Sequence, residues 1–453
     1  MNRKLSFLLI IIASSFHLLA QNLRLEGTIT SAPNRQLILT QYNYGEQTIV
    51  DTTFSDETGY FAFTLPDTLN PGMLGLFGGQ NIHYELIFND EPIRFISTGS
   101  TQNDQISFIE SDENKIYYDY VFKKTENIYK INLLNSLIKQ YPKDDPFYKR
   151  LTDEYTKLSD EIDSTVMLHA KQHPDFLAVK YMLSDRPAIP PPGLSTPEET
   201  EWLKKHFWDH VDFSDSSLIN SSILSSKVVA YLQLFQADAQ TPDEAQDLMK
   251  PALDTLLEKT TLNGKVYGWL LQYLVNGFES VGYDKLLIYL NDVHAAENIC
   301  ESKTRKTVEE KLKMAKTLAI GAIAPDFTAK DLNGKTIKLH QLKANRIVLV
   351  FWASWCPHCV KEALPVLKKL YHQPGRNFEV VAISVDENIK NVQQAVNEYG
   401  YDWITIAEGK GWDGDIPLLY GISATPTFFV LDQNKKILAK PHNVEELTDL
   451  LNP

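Results

Sequence analysis

The hydrophobic pattern of the chain changes period twice. From residue 22 to about 110, apolar and polar positions alternate in short runs, as in Leu23-Arg-Leu-Glu-Gly-Thr-Ile-Thr30 and Tyr60-Phe-Ala-Phe-Thr-Leu65. Similar runs cover Gln36–Tyr44, Thr48–Phe54, His83–Phe88 and Ile93–Ser97, with turns such as Asp56-Glu-Thr-Gly59 between them. Short alternating runs at this spacing predict an antiparallel β domain, a small sandwich or barrel. From 113 to 318 the period becomes helical, for example over Ile128–Leu137 and Leu253–Leu274, which predicts an all-α domain. The segment Ala188-Ile-Pro-Pro-Pro-Gly-Leu-Ser-Thr-Pro197 interrupts it as a loop. Thr196 is the expected cap of the next helix and Pro197 its first helical residue.

From 319 to 453 strand and helix patterns alternate. Arg346-Ile-Val-Leu-Val-Phe-Trp352 is continuously apolar after its first residue, as in a strand buried on both faces. Phe378–Ser384 and Thr427–Leu431 are further buried strands, and Lys435–Leu438 is an antiparallel edge strand. Helices are expected from Cys356 to about Tyr371, over Ile389–Tyr399 and over Val444–Leu451. The alternation predicts an α/β domain with a central sheet covered by helices. The fold class is therefore multidomain: an N-terminal antiparallel β domain, a central all-α domain and a C-terminal α/β domain.

Composition narrows the function classes. The 453 residues are 43% apolar and 23% charged, which is ordinary for globular domains. The formal charge of −14, with no cluster of Lys and Arg interleaved with aromatics, argues against nucleic acid as a partner. Arg3 and Lys4 precede an apolar run from Leu5 to Ala13 that is broken only by Ser6, and Leu18-Leu19-Ala20 offers a cleavage edge. Residues 1–20 thus read as a signal peptide and place the mature chain in the periplasm or another extracytoplasmic space. An uncleaved membrane anchor is the lesser reading, because the run is short for a span of about 20 residues. No cysteine lies near the cut, which argues against a lipid anchor.

The three cysteines do not form a structural disulfide framework. Cys300 stands alone in a helical pattern and reads as a small buried hydrophobe. The other two form Trp355-Cys-Pro-His-Cys359, between a buried strand and a helix. This placement sets Cys356 at a helix N-terminus, where free backbone N–H groups and the helix dipole favour a thiolate, the nucleophilic form of cysteine. Cys359 lies within one turn of it, and Pro357 sits where its missing N–H costs little. A zinc site would need a second ligand pair at suitable spacing, and none is apparent, so no metal and no cofactor are expected. His206 and His210 have i,i+4 spacing but no third ligand.

On these residues the last 135 positions resemble the thioredoxin superfamily and, within it, exported reductases of the TlpA/ResA-like group. Three segments carry the resemblance: Gly321-Ala-Ile-Ala-Pro-Asp-Phe327, Phe351-Trp-Ala-Ser-Trp-Cys-Pro-His-Cys359 and Gly421-Ile-Ser-Ala-Thr-Pro-Thr-Phe428. It implies thiol–disulfide oxidoreductase activity through Cys356 and Cys359. It also implies a cis Thr425–Pro426 bond beside the sulfurs, with Trp355, Pro357 and Thr425 facing substrate. The strand position six before Cys356, where thioredoxin itself has a buried Asp, is Val350. Glu362 is the corresponding candidate for a buried, proton-shuttling acid, since an α-helix sets it on the face of Cys359. A solvated helix glutamate is the equal alternative, and Pro365, one residue later than the usual helix proline, bears on the register. His358 resembles the oxidising DsbA-type enzymes, whereas the rest of the domain resembles reductases. Cys356 follows Trp-Ala-Ser-Trp and so lacks the sequence context of a peroxiredoxin nucleophile.

The expected function is reduction or isomerisation of disulfides in envelope proteins, with electrons from a membrane donor. A DsbA-like oxidase, or a binding protein whose first domains recognise an envelope ligand, are the alternatives. The β and helical segments resemble two domains of unknown activity that precede such redox domains, and they read as docking modules.

Overall fold

The structure, a computed structural model, describes residues 23–44, 46–79, 81–99, 106–293 and 302–451. The signal segment and Cys300 lie outside these residues. The chain divides into two compact units. The first runs to Asp212 and includes Ser217–Val228; the second comprises Phe213–Ser216 and the chain from Val229 onward.

In the first unit, β1 (Arg24–Ile29), β4 (Tyr60–Thr64), β7 (Ile93–Ser97) and β8 (Ser107–Glu110) form one sheet in the order β4-β1-β7-β8. The strands β2 (Gln36–Asn43), β3 (Glu46–Phe54), β5 (Gly72–Gly78) and β6 (Ile82–Phe88) form another in the order β3-β2-β5-β6. Leu25, Phe61 and Phe95 of the first sheet share one buried core with Leu39, Leu74 and Leu86 of the second. Pairing is antiparallel except between β1 and β7, which run parallel with Leu25 opposite Ile93. Two strands escape the alternation pattern, β5 and β8. The β5 strand, Gly72-Met-Leu-Gly-Leu-Phe-Gly78, is buried at six of its seven positions and so shows no polar face.

The helices of this unit are α1 (Asp112–Ile138), α2 (Pro146–Gln172), α3 (Leu177–Asp185) and α4 (Thr196–His206). Asn114 of α1 acts as an extra strand residue at β6: its Oδ1 accepts from Ile87 N–H at 2.8 Å and its Nδ2 donates to Ile87 O at 2.7 Å. The buried Glu113 accepts from the N–H groups of Leu177 and Ala178 and so caps α3. The cap of α4 is Ser195, one residue before the expected Thr196. Glu198 accepts from both Ser195 N–H and Ser195 Oγ–H, which gives the capping role to the residue three positions before the acid.

After α5 (Ser222–Gln236), the second unit contains α6 (Pro242–Thr260), α7 (Gly264–Ser280), α8 (Asp284–Val293) and α9 (Ser302–Thr317). The apolar stretch Leu253–Leu274 is two helices rather than one, because Asn263 accepts from Lys265 and Val266 N–H and starts α7 afresh. A β9–β10 hairpin (Thr328–Lys330, Thr336–Lys338) precedes a five-stranded sheet. That sheet has the order β13-β12-β11-β14-β15, built from β11 (Arg346–Trp352), β12 (Phe378–Ser384), β13 (Ile404–Ala407), β14 (Thr427–Asp432) and β15 (Ile437–Ala439). The β11, β12 and β13 strands are parallel, and β14 and β15 are antiparallel to their neighbours. Helices α10 (Leu364–Tyr371), α11 (Ile389–Tyr399), α12 (Asp415–Leu419) and α13 (Val444–Leu451) complete the unit. Leu364, Val392, Ile416 and Leu447 from these four helices join the strands in one buried core. The fold class expected from the sequence is the one observed.

Candidate active site

The central strand β11 is buried at every position after Arg346 and ends at Trp352. Its C-terminal end is held by the neighbouring parallel strand, where Val385 N–H donates to Trp352 O at 2.9 Å. The chain then makes a tight turn, Cys356 N–H donating to Ala353 O at 3.2 Å, and enters a helix. This strand-to-helix junction delivers both thiols at the end of the sheet. Cys356 is 5% exposed and Cys359 fully buried, and both are free thiols. The Sγ–H of Cys359 points at Cys356 Sγ, 2.7 Å away, and the backbone N–H of Cys359 donates to the same sulfur at 3.3 Å. A donor of the helix start is therefore aimed at the outer sulfur.

Burial, followed by the contact with Cys356, pushes the Cys359 thiol up from 9.0 to about 12. Across the junction lies the loop that precedes β14. The Thr425–Pro426 peptide bond is cis, and Thr425 O lies 3.5 Å from Cys356 Sγ. Trp355, 57% exposed, packs edge-on against Trp412 with ring centroids 6.3 Å apart. Pro357 and His358 are exposed beside it.

The structure brings Trp355, Cys356, Pro357, His358, Cys359, Thr425 and Pro426 together at one end of the sheet. It does not do so for Glu362. The expectation of a buried acid facing the thiols is corrected: Glu362 is exposed, and its carboxylate pairs with His358 Nδ1 at 3.1 Å. The cause is local. The turn His358–Ala363 is π-helical, Leu364 N–H reaching back five residues to Cys359 O. Pro365 has no N–H to offer Lys361 O in an α-helical turn, and its ring crowds that carbonyl. The wider turn takes Glu362 off the face of Cys359. His358 is likewise directed to Glu362, an exposed i,i+4 pair.

Sequence reasoning missed a buried acid on the neighbouring strand. Asp386, 1% exposed, follows β12. Its carboxylate accepts from Ser354 N–H at 2.9 Å, from Ser354 Oγ–H and from Ser384 Oγ–H at 2.7 Å. It thus braces the residue two before Cys356. The available signal was a charged residue at the carboxyl end of an apolar parallel strand, the edge where α/β sheets carry their sites. Trp412 was also missed, in a Gly-rich loop with no periodicity to mark it. Tyr401 was a third. It stacks on Trp403 with centroids 4.8 Å apart, and its phenol is pushed well above the ordinary range by burial, then by Tyr399 and Cys359.

His206 stacks on Trp202 at 4.4 Å and pairs with Asp209 at 2.8 Å. Among the described residues no group of three or more His, Cys, Asp or Glu is placed to hold a metal ion. Among them, too, no helix is long and apolar enough to cross a membrane.

Two family models match the chain: Redoxin over residues 319–450, and a domain of unknown function (DUF5106) over residues 149–317. Among characterised relatives, the thiol-disulfide oxidoreductase ResA of Bacillus thuringiensis (strain Al Hakam) is 35% identical over 123 residues, which is 27% of this chain and 68% of the relative. The ResA of Bacillus subtilis (strain 168) is 30% identical over 122 residues, 27% of this chain and 66% of the relative. A thioredoxin-like protein from Bacteroides caccae ATCC 43185 has a solved structure that aligns with 58% of this chain and 96% of its own, at 22% identity and a TM-score of 0.43. A thiol-disulfide oxidoreductase from Bacteroides fragilis NCTC 9343 aligns with 28% of this chain and 96% of its own, at 28% identity and a TM-score of 0.26.

Proposed function

The chain belongs to the ResA family of thiol–disulfide oxidoreductases, and we propose that it reduces or isomerises disulfides of envelope proteins through Cys356 and Cys359. The observation that carries this reading is the inequality of the two sulfurs: Cys356 keeps 5% of its surface exposed, beside Thr425, and Cys359 is fully buried behind it.

In the first step the Cys356 thiolate attacks one sulfur of a substrate disulfide. A Cys356–substrate bond forms, the substrate S–S bond breaks, and the other substrate sulfur leaves as a thiolate that takes a proton. The Cys359 N–H, 3.3 Å from Cys356 Sγ, is a donor on the atom that bears the charge. In the second step the Cys359 sulfur, having given up its proton, attacks Cys356 Sγ and expels the second substrate thiol. The substrate gains two electrons and two protons, and the enzyme is left with a Cys356–Cys359 disulfide. Cys359 is suited to wait as a neutral thiol, since its burial holds the proton on. Re-reduction by a membrane donor and an extracytoplasmic location are part of this proposal; the basic and apolar residues of positions 1–20 support the location. The assignment of 22–110 as a β-sandwich-like domain, 113–318 as a helical domain and 319–453 as a thioredoxin-like domain, with the first two as docking modules, is likewise a proposal.

The test is insulin-disulfide reduction by the full chain and by Cys356→Ala. Loss of activity in the variant supports the reading, and retained activity overturns it. The potential against glutathione separates the two directions of flow: a value near about −270 mV fits a reductase and one near about −120 mV a DsbA-like oxidase.

A further inference from the structure

We propose that helices α7 and α9 form the second wall of the substrate cleft, and that this wall takes an extended, uncharged segment of the protein chain flanking the disulfide under attack. The proposal deepens the exchange reading above and rests on it.

A cleft of about 520 Å³, within the ordinary range of ligand pockets, opens beside the cis-proline loop. Asn276 and Ser280 of α7 and Met314 of α9 line one side; Ser423, Ala424 and Pro426 line the other. The same loop carries Thr425, whose carbonyl is 3.5 Å from Cys356 Sγ. One stretch of backbone therefore borders both the attacking sulfur and the cleft. A substrate whose half-cystine reaches Cys356 presents its neighbouring residues to the cleft.

The helices that carry this wall meet the redox domain at one ion pair and two close approaches. Asp284 Oδ2 pairs with Lys440 Nζ at 2.7 Å, both side chains more than two-thirds buried. Gly282 has φ +69, and a Cβ there would come within 2.3 Å of the His442 ring. Gly421, with φ +58, would place a Cβ 3.1 Å from Met314 Cγ, so α9 lies directly against the start of the loop. Backbone at such positive φ is glycine territory.

The chemistry of the walls selects the occupant. The charges at the cleft are already paired, Lys311 with Glu279 at 2.6 Å and Lys440 with Asp284. A charged segment would lose hydration there without gaining an opposite charge. The neutral amide and hydroxyl groups suit a peptide backbone, and the flexible thioether of Met314 adapts to varied apolar side chains.

The test compares two disulfide-linked peptides, one flanking its cystine with leucine and alanine and the other with aspartate and lysine, with bis(hydroxyethyl) disulfide as a probe too small to fill the cleft. The full chain is expected to prefer the leucine-flanked peptide about tenfold in kcat/KM, the effect carried by KM. Met314→Trp, which fills the cleft, is expected to reduce the ratio of the rates on this peptide and on the small disulfide about tenfold. Ser280→Trp, at an exposed position, is expected to act the same way. Equal rates on the two peptides, or an unchanged ratio in the folded variants, would overturn the proposal. Failure of the wild-type chain to reduce any of the three disulfides is a separate result, which would remove the exchange reading itself.

Discussion

Asp386 accepts two hydrogen bonds from Ser354, one from its backbone and one from its hydroxyl, and Ser354 stands two residues before Cys356 in the turn that presents the thiol. The carboxylate thus ties the end of β12 to the redox turn at the end of β11. Removing it leaves the part-buried donors of Ser354 and the buried hydroxyl of Ser384 without this acceptor, at a cost of up to about 1–3 kcal/mol for such groups. Asp386→Ala is expected to lower stability by that order in urea denaturation and to slow insulin reduction. Ser354→Ala removes one of the bonds and leaves Ser384 Oγ–H on the acid, so it is expected to lose less. Equal stability of Asp386→Ala and the wild type would contradict the bracing role.

Glu362→Gln is expected to change insulin reduction by less than about twofold and to leave its pH profile in place, as exposed ion pairs contribute little. The exposed pair with His358 predicts that salt weakens whatever small effect remains. A displaced pH profile would restore Glu362 as a proton-transfer group.

The raised pKa of Cys359 has a definite sign. The fold favours its protonated form, so the contribution to stability is whole below the ordinary thiol value of 9.0 and is lost as pH climbs toward about 12. Urea denaturation of the reduced protein is expected to show falling stability over that window, and Cys359→Ala is expected to flatten the fall. Alkylation followed by mass spectrometry gives the companion check, because only the thiolate reacts. Labelling of Cys359 is expected to stay low at pH 8 to 9, whereas a midpoint near the ordinary value of 9.0 would contradict the burial argument.

Trp355 and Trp412 make an exposed edge-to-face pair beside the outer sulfur. Loss of one aromatic anchor worth about 1 kcal/mol changes affinity about fivefold. Trp355→Ala and Trp412→Ala are each expected to raise KM for insulin by that order and to leave the reduction of bis(hydroxyethyl) disulfide less affected. A fall in kcat with unchanged KM would instead assign the pair to the chemistry.

Much of this site was legible in the sequence because its information is local. The apolar run of β11, the two-residue spacing of the cysteines and the strand after Pro426 each speak for themselves within ten residues. Glu362 was misplaced when read as a buried acid because α-helical periodicity was assumed through a turn that Pro365 makes π-helical. Asp386 was invisible because its meaning lies in a contact with Ser354, in the turn that follows another strand. The β5 strand was hidden for a different reason: burial on both faces erases the polar–apolar alternation by which a strand is recognised. The cleft wall of α7 and α9 had no signal at all, since Met314 and Asn276 read as ordinary helix residues until the fold sets them beside Pro426.

The central claim is that Cys356 attacks and Cys359 resolves. The direct measurement is mass spectrometry of the Cys359→Ala chain after incubation with a disulfide-linked peptide. The geometry calls for a stable mixed disulfide located on Cys356, released by dithiothreitol and absent from Cys356→Ala. An adduct that fails to form in Cys359→Ala, or that forms on Cys359 of the Cys356→Ala chain with activity retained, would contradict it.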